Sequence, residues 1–137
     1  GVFPYAIDKA SILSDKRNDP EFKDVEEALV RILNLSKDKV DMDVDPDLFV
    51  TPSEQLLYEK YKEIIDSYNR VNKQQNATEA LNQLTQLAEP IHSFFENNMV
   101  MSEDEKLRRN RLSLVNNLSL LIDDFADLTR IQWKQHA

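Results

Sequence analysis

Three clusters of side chains in this sequence are of types that can do chemistry. In DMDVDPD, the residues Asp41, Asp43 and Asp45 alternate like the leading carboxylates of an EF-hand loop, which wrap a calcium ion. The pattern then fails, because Pro46 stands where that loop needs glycine and Pro52 where it needs a bidentate glutamate. A solvated loop whose aspartates cap turns is the expectation, with no metal site. The second cluster is His92 with Glu96 one helical turn later, and the only other histidine is His136. A zinc site normally takes three protein ligands, so a partly buried helix histidine is expected. Asp123 and Asp124 fall on a polar helix face, and no Ser, His and Asp set forms a nucleophilic triad, so no catalytic residue is expected.

The third cluster is LRRNRLSLV, Leu107 to Val115, in which Arg108, Arg109 and Arg111 crowd the first turns of a helix. Cations there oppose the helix dipole, although Glu103, Asp104 and Glu105 ahead of them restore the favourable sign. Helix stability therefore does not explain the arginines. They can face an anionic partner, or Asn110 and Arg111 can clamp the preceding loop by hydrogen bonds. Both readings stand at this point.

Composition excludes several classes of function. Cysteine is absent, which removes disulfides, thiolate metal sites and cysteine nucleophiles. The single glycine is Gly1, whereas P-loop and dinucleotide folds need glycines for close backbone approach to phosphate. The net charge of −8 argues against a general nucleic-acid binder. It is unevenly spread: residues 41–58 hold five acids and residues 76–102 three, with no Lys or Arg in either stretch. The remainder is balanced, so a fold can still assemble a locally basic face. No apolar run approaches the roughly 18 residues of a membrane span, and no leader is evident, so a cytoplasmic chain is expected. The three glycosylation-like sequons, at Asn34, Asn76 and Asn117, then read as chance. The start at Gly1-Val2-Phe3 falls mid-pattern and reads as a fragment of a longer chain.

The elements that must position these groups are helical. Apolar residues recur at three- and four-residue intervals in four stripes. They are Phe22-Val25-Leu29-Ile32-Leu33-Ser36, Leu57-Tyr61-Ile64-Tyr68-Val71, Leu81-Leu84-Ala88-Ile91-Phe95, and Leu107-Leu114-Val115-Leu118-Leu121-Ile122-Phe125. A shorter opening helix is expected through Phe3, Ile7, Ala10 and Leu13. Asp19-Pro20 and Thr51-Pro52 mark starts, and Asn76 with Glu79 and Ser102 with Glu105 have capping-box spacing. Pro90 predicts a kink or break between Glu89 and Ile91. Residues 38–50 show no period and read as a long loop. Phe94, Phe95, Met99 and Met101 are expected to pack in the core. The fold class predicted is all-α, a single bundle of five to six helices over residues 1–137.

One long block, EPIHSFFENNMVMSEDEKLRRNRLSL from Glu89 to Leu114, carries a distinctive order. Pro90, Ile91, Phe94 and Phe95 are followed by Met99, Val100 and Met101, an acidic turn, and then Asn110, Arg111 and Leu112. This order resembles the DALR-type anticodon-binding domain at the C-terminus of the bacterial glycyl-tRNA synthetase β subunit, with Asn98 replacing the first hydrophobic residue of its Val-Met-Val-Met element. Lys9-Ala10, ALVRILNLSK from Ala28 to Lys37, VDPDLF from Val44 to Phe49 and the SEQLLYE helix look like further elements in the same order. Arginyl-tRNA synthetases share a related domain, but the Phe-Phe and Met-Val-Met elements look like the glycyl version.

The resemblance implies recognition of the anticodon region of glycine tRNA. Its partners would be the remainder of the β chain and a separate α chain, which holds the aminoacylation site with ATP and magnesium. No cofactor is implied within this domain, and no membrane. An anticodon loop offers unstacked bases to Arg, Asn and planar groups. By charge and by position in the resembling segments, Lys16, Arg17, Arg31, Asn34, Lys37, Arg108 and Arg109 are the candidate tRNA contacts, joined by Asn110 and Arg111 if these do not clamp the loop. The alternative from another class is a helical protein-interaction module for subunit assembly that never touches RNA. A self-standing hydrolase or metal enzyme is a distant third.

Overall fold

The computed structural model describes residues 2–36 and 41–125, with side chains from Pro4 onward. These residues form six α-helices: α1 Val2–Lys16, α2 Pro20–Leu35, α3 Pro52–Lys73, α4 Ala77–Thr85, α5 Ala88–Asn97 and α6 Glu105–Phe125. A 3₁₀ turn, Pro46–Leu48, interrupts the loop before α3, and no strand occurs among the described residues. The class is all-α, as the periodicity requires.

Side-chain caps set where the helices begin. Asp19 accepts the Glu21 N–H, with Pro20 in the first turn where its missing donor costs nothing. Thr51 Oγ1 accepts the Glu54 N–H while Glu54 Oε1 accepts the Thr51 N–H, a reciprocal box that starts α3. Thr51→Ala is expected to lower stability by about 1 to 2 kcal/mol, measured as a reduced urea midpoint at unchanged slope.

Two expected boxes form differently. Asn76 Oδ1 accepts the Glu79 N–H, but the Asn76 N–H bonds the Val71 carbonyl instead of Glu79. Gln75, at φ 57°, occupies the left-handed position that reverses the chain over the end of α3 and directs that donor backward. At α6 the cap is Asp104, not Ser102. Asp104 Oδ1 accepts from Lys106 and Leu107, while Ser102 Oγ only accepts the Asp104 N–H. The helix begins at Glu105, which leaves the charged Asp104 at the capping position, where a carboxylate also suits the positive helix end.

The break in the third stripe falls earlier than expected, at Gln86-Leu87 between α4 and α5. A proline clashes with the carbonyl four residues before it and cannot donate to it. For Pro90 that carbonyl belongs to Gln86, so the chain breaks there and Pro90 sits safely in the first turn of α5.

α5 packs against both α2 and α3, while α6 lies against α2, α3 and α4, and α1 rests on α4. Leu29, Ile32, Leu57, Ile64, Ile91, Phe94 and Leu118 are among the fully buried core. In α1 the inward face is Tyr5, Ile12 and Leu13, of which only Leu13 belongs to the expected stripe: Ile7 is 66% exposed and Ala10 is exposed, and the Phe3 side chain lies outside the described residues. Lys9 lies on this inward face because its ammonium finds a partner, donating to the Asp124 carbonyl at 3.2 Å and lying over the Tyr5 and Phe125 rings. The short helix thus docks through polar as well as apolar contacts.

Asp124, expected on a plain polar face, is the hub of this docking. Its Oδ2 accepts from the Tyr68 hydroxyl at 2.9 Å and from Asn72 Nδ2 at 3.1 Å, and Asn72 Oδ1 accepts from the Tyr5 hydroxyl at 2.6 Å. Burial, then the Asp124 carboxylate, raises the pKa of both phenols above the ordinary tyrosine value, that of Tyr68 most. A group whose pKa is raised on folding contributes stability below its unfolded pKa and loses it as pH climbs through the folded value. Lys9, held low mainly by burial, works in the opposite sense over part of the same range. The chain is therefore expected to lose stability above about pH 10, the free tyrosine value. Tyr68→Phe should flatten that loss in thermal melts recorded across alkaline pH.

Candidate nucleic-acid interface

α2 ends with Arg31 and Asn34 exposed on one side, and the residues that meet them come from the end of α5 and the turn beyond it. The Arg31 guanidinium lies on the half-buried Phe95 ring, 4.1 Å from its centroid. Phe95 is held edge-on by the fully buried Phe94, with ring centroids 5.3 Å apart. Arg31, Asn34 and Phe95, together with Glu96, Asn97, Asn98, Met99 and Met101, line an open groove of about 740 Å³.

The expectation that Phe94, Phe95, Met99 and Met101 all belong to the core is corrected here. Phe94 is buried, but Met99 is 72% and Met101 58% exposed. Helical spacing does not reach them, because α5 stops at Asn97 and Asn98 is extended at φ −136°, ψ 138°. In the chain beyond, Val100 points inward and its two methionine neighbours outward.

A buried polar hub holds that turn in place. Arg111 is 6% exposed and its Nε donates to Glu54 Oε2 at 3.3 Å, while an η nitrogen donates to the Met99 carbonyl at 2.8 Å. Glu54, fully buried, also accepts from the Val50 and Thr51 N–H groups through Oε1. Asn98 ties the other flank, donating to Ser53 Oγ and to the Phe94 carbonyl and accepting from the Thr51 hydroxyl. The departure from the Val-Met-Val-Met pattern at Asn98 thus joins the end of α5 to the start of α3.

The loop before α3 is fastened to α6 by asparagines. Asn110 accepts the Asp45 N–H at 2.7 Å and donates to the Asp45 carbonyl at 3.0 Å. Asn116 donates to the Asp41 carbonyl through Nδ2 and accepts from the Ser36 hydroxyl through Oδ1, and Asn117 donates to the Met42 carbonyl. Asp45 Oδ1 accepts the Asp47 N–H and so caps the 3₁₀ turn, the role expected of an aspartate in this loop. His92 is a half-buried helix histidine whose Nε2 meets the Asp24 carbonyl at 2.8 Å. No helix among the described residues is long and apolar enough to cross a membrane.

The sequence-selected cations do not form one patch. Arg31 and Asn34 share the groove, whereas Arg108 does not line it and donates instead to the carbonyl of Ser102, the residue after Met101. Arg109 is exposed on another side, paired with Glu105 at 3.0 Å and 3.9 Å from Asp41, in a shallow pocket with Asp43, Asp45 and Lys106. Lys16 and Arg17 are exposed near the start of α2, roughly 15 to 20 Å along the helix from Arg31 and Asn34. Asn110 and Arg111 have their hydrogen-bonding groups engaged inside the fold, the loop-clamp geometry. Lys37 and His136 lie outside the described residues. Glu54, Asn98, Asn116 and Asn117 were not anticipated. The Thr51-x-x-Glu54 spacing was the available signal for the first.

Comparison with known proteins agrees with this geometry. A family model described as the DALR anticodon binding domain matches residues 25–135, which takes in α2 from Val25 onward, α3 through α6 and both walls of the groove. Relatives that carry the name glycine–tRNA ligase beta subunit include the following three. That of Oceanobacillus iheyensis is 48% identical over 132 residues, covering 95% of this chain and 19% of the relative. That of Oenococcus oeni is 36% identical over 132 residues, 96% of this chain and 19% of the relative. That of Bacillus subtilis is 34% identical over 129 residues, 93% of this chain and 19% of the relative. The chain thus spans about a fifth of the length of these relatives. With well over half of its residues matched, and matched across the helices that build the groove, the chain belongs to the DALR anticodon binding domain family.

Proposed function

We propose that this chain is the anticodon-recognition module of a glycyl-tRNA synthetase β subunit, and that its groove receives unstacked bases of the glycine tRNA anticodon loop. The observation that carries the reading is the Arg31 guanidinium lying on Phe95 inside a groove whose other wall is exposed Met99 and Met101. One face of Phe95 is already covered, so an incoming base stacks on the guanidinium plane, with Asn34 and Asn97 in the same groove to hydrogen-bond its edge. Arg108, tied to the Ser102 carbonyl, contributes charge toward the phosphates, and Lys16, Arg17 and Arg109 reach more distant parts of the same RNA. Lys37 belongs to this set by sequence position alone. Asn110 and Arg111 act indirectly, by holding the loop and the methionine turn. The aminoacylation reaction, with its ATP and magnesium, belongs to a separate α chain, and the remaining β chain and that α chain are the protein partners.

A protein-interaction module is the second reading, favoured by the net charge of −8 and by exposed Val50 and Leu56 around the start of α3. The two separate in one titration. An anticodon binder holds a glycine tRNA anticodon stem-loop at low salt, loses affinity as salt rises, and loses it again when the anticodon is changed. Absence of binding at low salt, for the chain alone and within the assembled synthetase, refutes the RNA reading.

A further inference from the structure

We propose that Met99 and Met101 form a peroxide-responsive modification site that switches the groove between a state that binds RNA and one that does not, an inference that rests on the groove reading above. Val100 is 6% exposed and anchors the turn, Arg111 holds the Met99 carbonyl, and Asn98 holds the preceding flank through three hydrogen bonds. The backbone is therefore set, and the two sulfurs sit on its outward side, against the groove that Arg31 and Phe95 complete.

Susceptibility to oxidation follows access to solvent. The chain has three methionines and no cysteine, so no thiol competes for oxidant. The third, Met42, is half-buried in the loop fastened to α6 and does not line the groove. The reaction balances with hydrogen peroxide alone. A sulfur lone pair attacks one peroxide oxygen, the O–O bond breaks as the S–O bond forms, and the departing hydroxide takes up a proton to leave as water. Each sulfur is oxidised by two electrons and the peroxide reduced by two. A thiol-dependent sulfoxide reductase reverses the step, returning the oxygen as water while two thiols become a disulfide.

The product replaces a flexible apolar side chain by a polar, hydrated one. A wall that offered apolar, polarizable contact to a base then binds water, and the base loses one side of its enclosure. Leucine would give the same apolar wall without this chemistry, which makes it the discriminating substitution.

The test exposes the chain to hydrogen peroxide, reads each methionine by peptide mass spectrometry, and measures affinity for a glycine tRNA anticodon stem-loop by fluorescence anisotropy before and after. The same is done with a Met99→Leu, Met101→Leu variant. Met99 and Met101 are expected to gain oxygen ahead of Met42, with about tenfold weaker binding, the size of one lost stacking contact. Sulfoxide reductases, one for each epimer, should restore the affinity, and the leucine variant, compared only with itself untreated, should show no change on treatment. The proposal is overturned if the oxidised chain binds as well as the reduced one, if Met42 oxidises first, or if the leucine variant weakens equally. A reduced chain that does not bind the stem-loop refutes the groove reading, and the switch with it, whatever the mass spectra show.

Discussion

Replacing Arg111 by methionine is expected to lower folding stability by about 3 to 5 kcal/mol. Glu54 is fully buried, and Arg111 is its only cationic partner among the described residues. Removing the guanidinium leaves an uncompensated carboxylate in the interior and an unpaired Met99 carbonyl. For a chain of this size the loss corresponds to a fall in melting temperature on the order of 10 °C or more. The companion variant Arg111→Met, Glu54→Gln isolates the cause. The neutral amide keeps an acceptor oxygen for the Val50 and Thr51 N–H groups, so α3 stays capped while the buried charge is gone. The pair should therefore recover part of the loss in chemical denaturation. A double variant no more stable than Arg111→Met alone would show that packing around the guanidinium, not charge, dominates.

Arg31→Ala is expected to weaken anticodon-loop binding by about 1 to 3 kcal/mol, roughly fivefold to over a hundredfold. Its cost to the fold is small, because an exposed guanidinium on an aromatic ring contributes only about 0.5 to 1 kcal/mol. Arg31→Lys decides how the arginine acts. Lysine preserves the charge and loses the planar surface, so a stacking platform is not rescued, whereas a phosphate contact largely is. The salt dependence gives an independent reading, since a lost phosphate contact lowers its slope and a lost stack leaves it nearly unchanged when lysine is present. Full affinity in both variants would remove Arg31 from the interface.

Helix identity was legible in the sequence because it is governed locally. Three- and four-residue spacing, Asp19-Pro20 and Thr51-Pro52 all act within one or two turns. Errors arose where a local rule meets its boundary. The break caused by Pro90 falls at Gln86 because the clash acts four residues back. Met99 and Met101 follow the end of α5, where the chain leaves the helix through the extended Asn98 into a turn and helical spacing loses its meaning.

The groove was legible only in part. Charge and resemblance single out Arg31 and Asn34, and the Phe-Phe and Met-Val-Met elements stand out in the sequence. Nothing local joins them, since Arg31 and Phe95 meet only when α2 packs on α5. For Asn110 and Arg111 two roles were open. Distance along the chain hid Asp45 and Glu54, the groups they meet. Lys9 and Asp124 were missed for the same reason, as a charge on an inward face reads as polar surface until its distant partner is known.

The asparagines of α6 hold the loop by its main chain: Asp45 N–H and carbonyl, the Asp41 carbonyl and the Met42 carbonyl. Main-chain atoms are the same in every residue type, so this fastening is blind to which side chains the loop carries. Asp43 and Asp47 can change sign or size without moving the path of the loop, which separates its shape from its charge. A helix that grips the backbone in this way offers an evolving protein a surface whose electrostatics can be rewritten at little risk to the fold beneath.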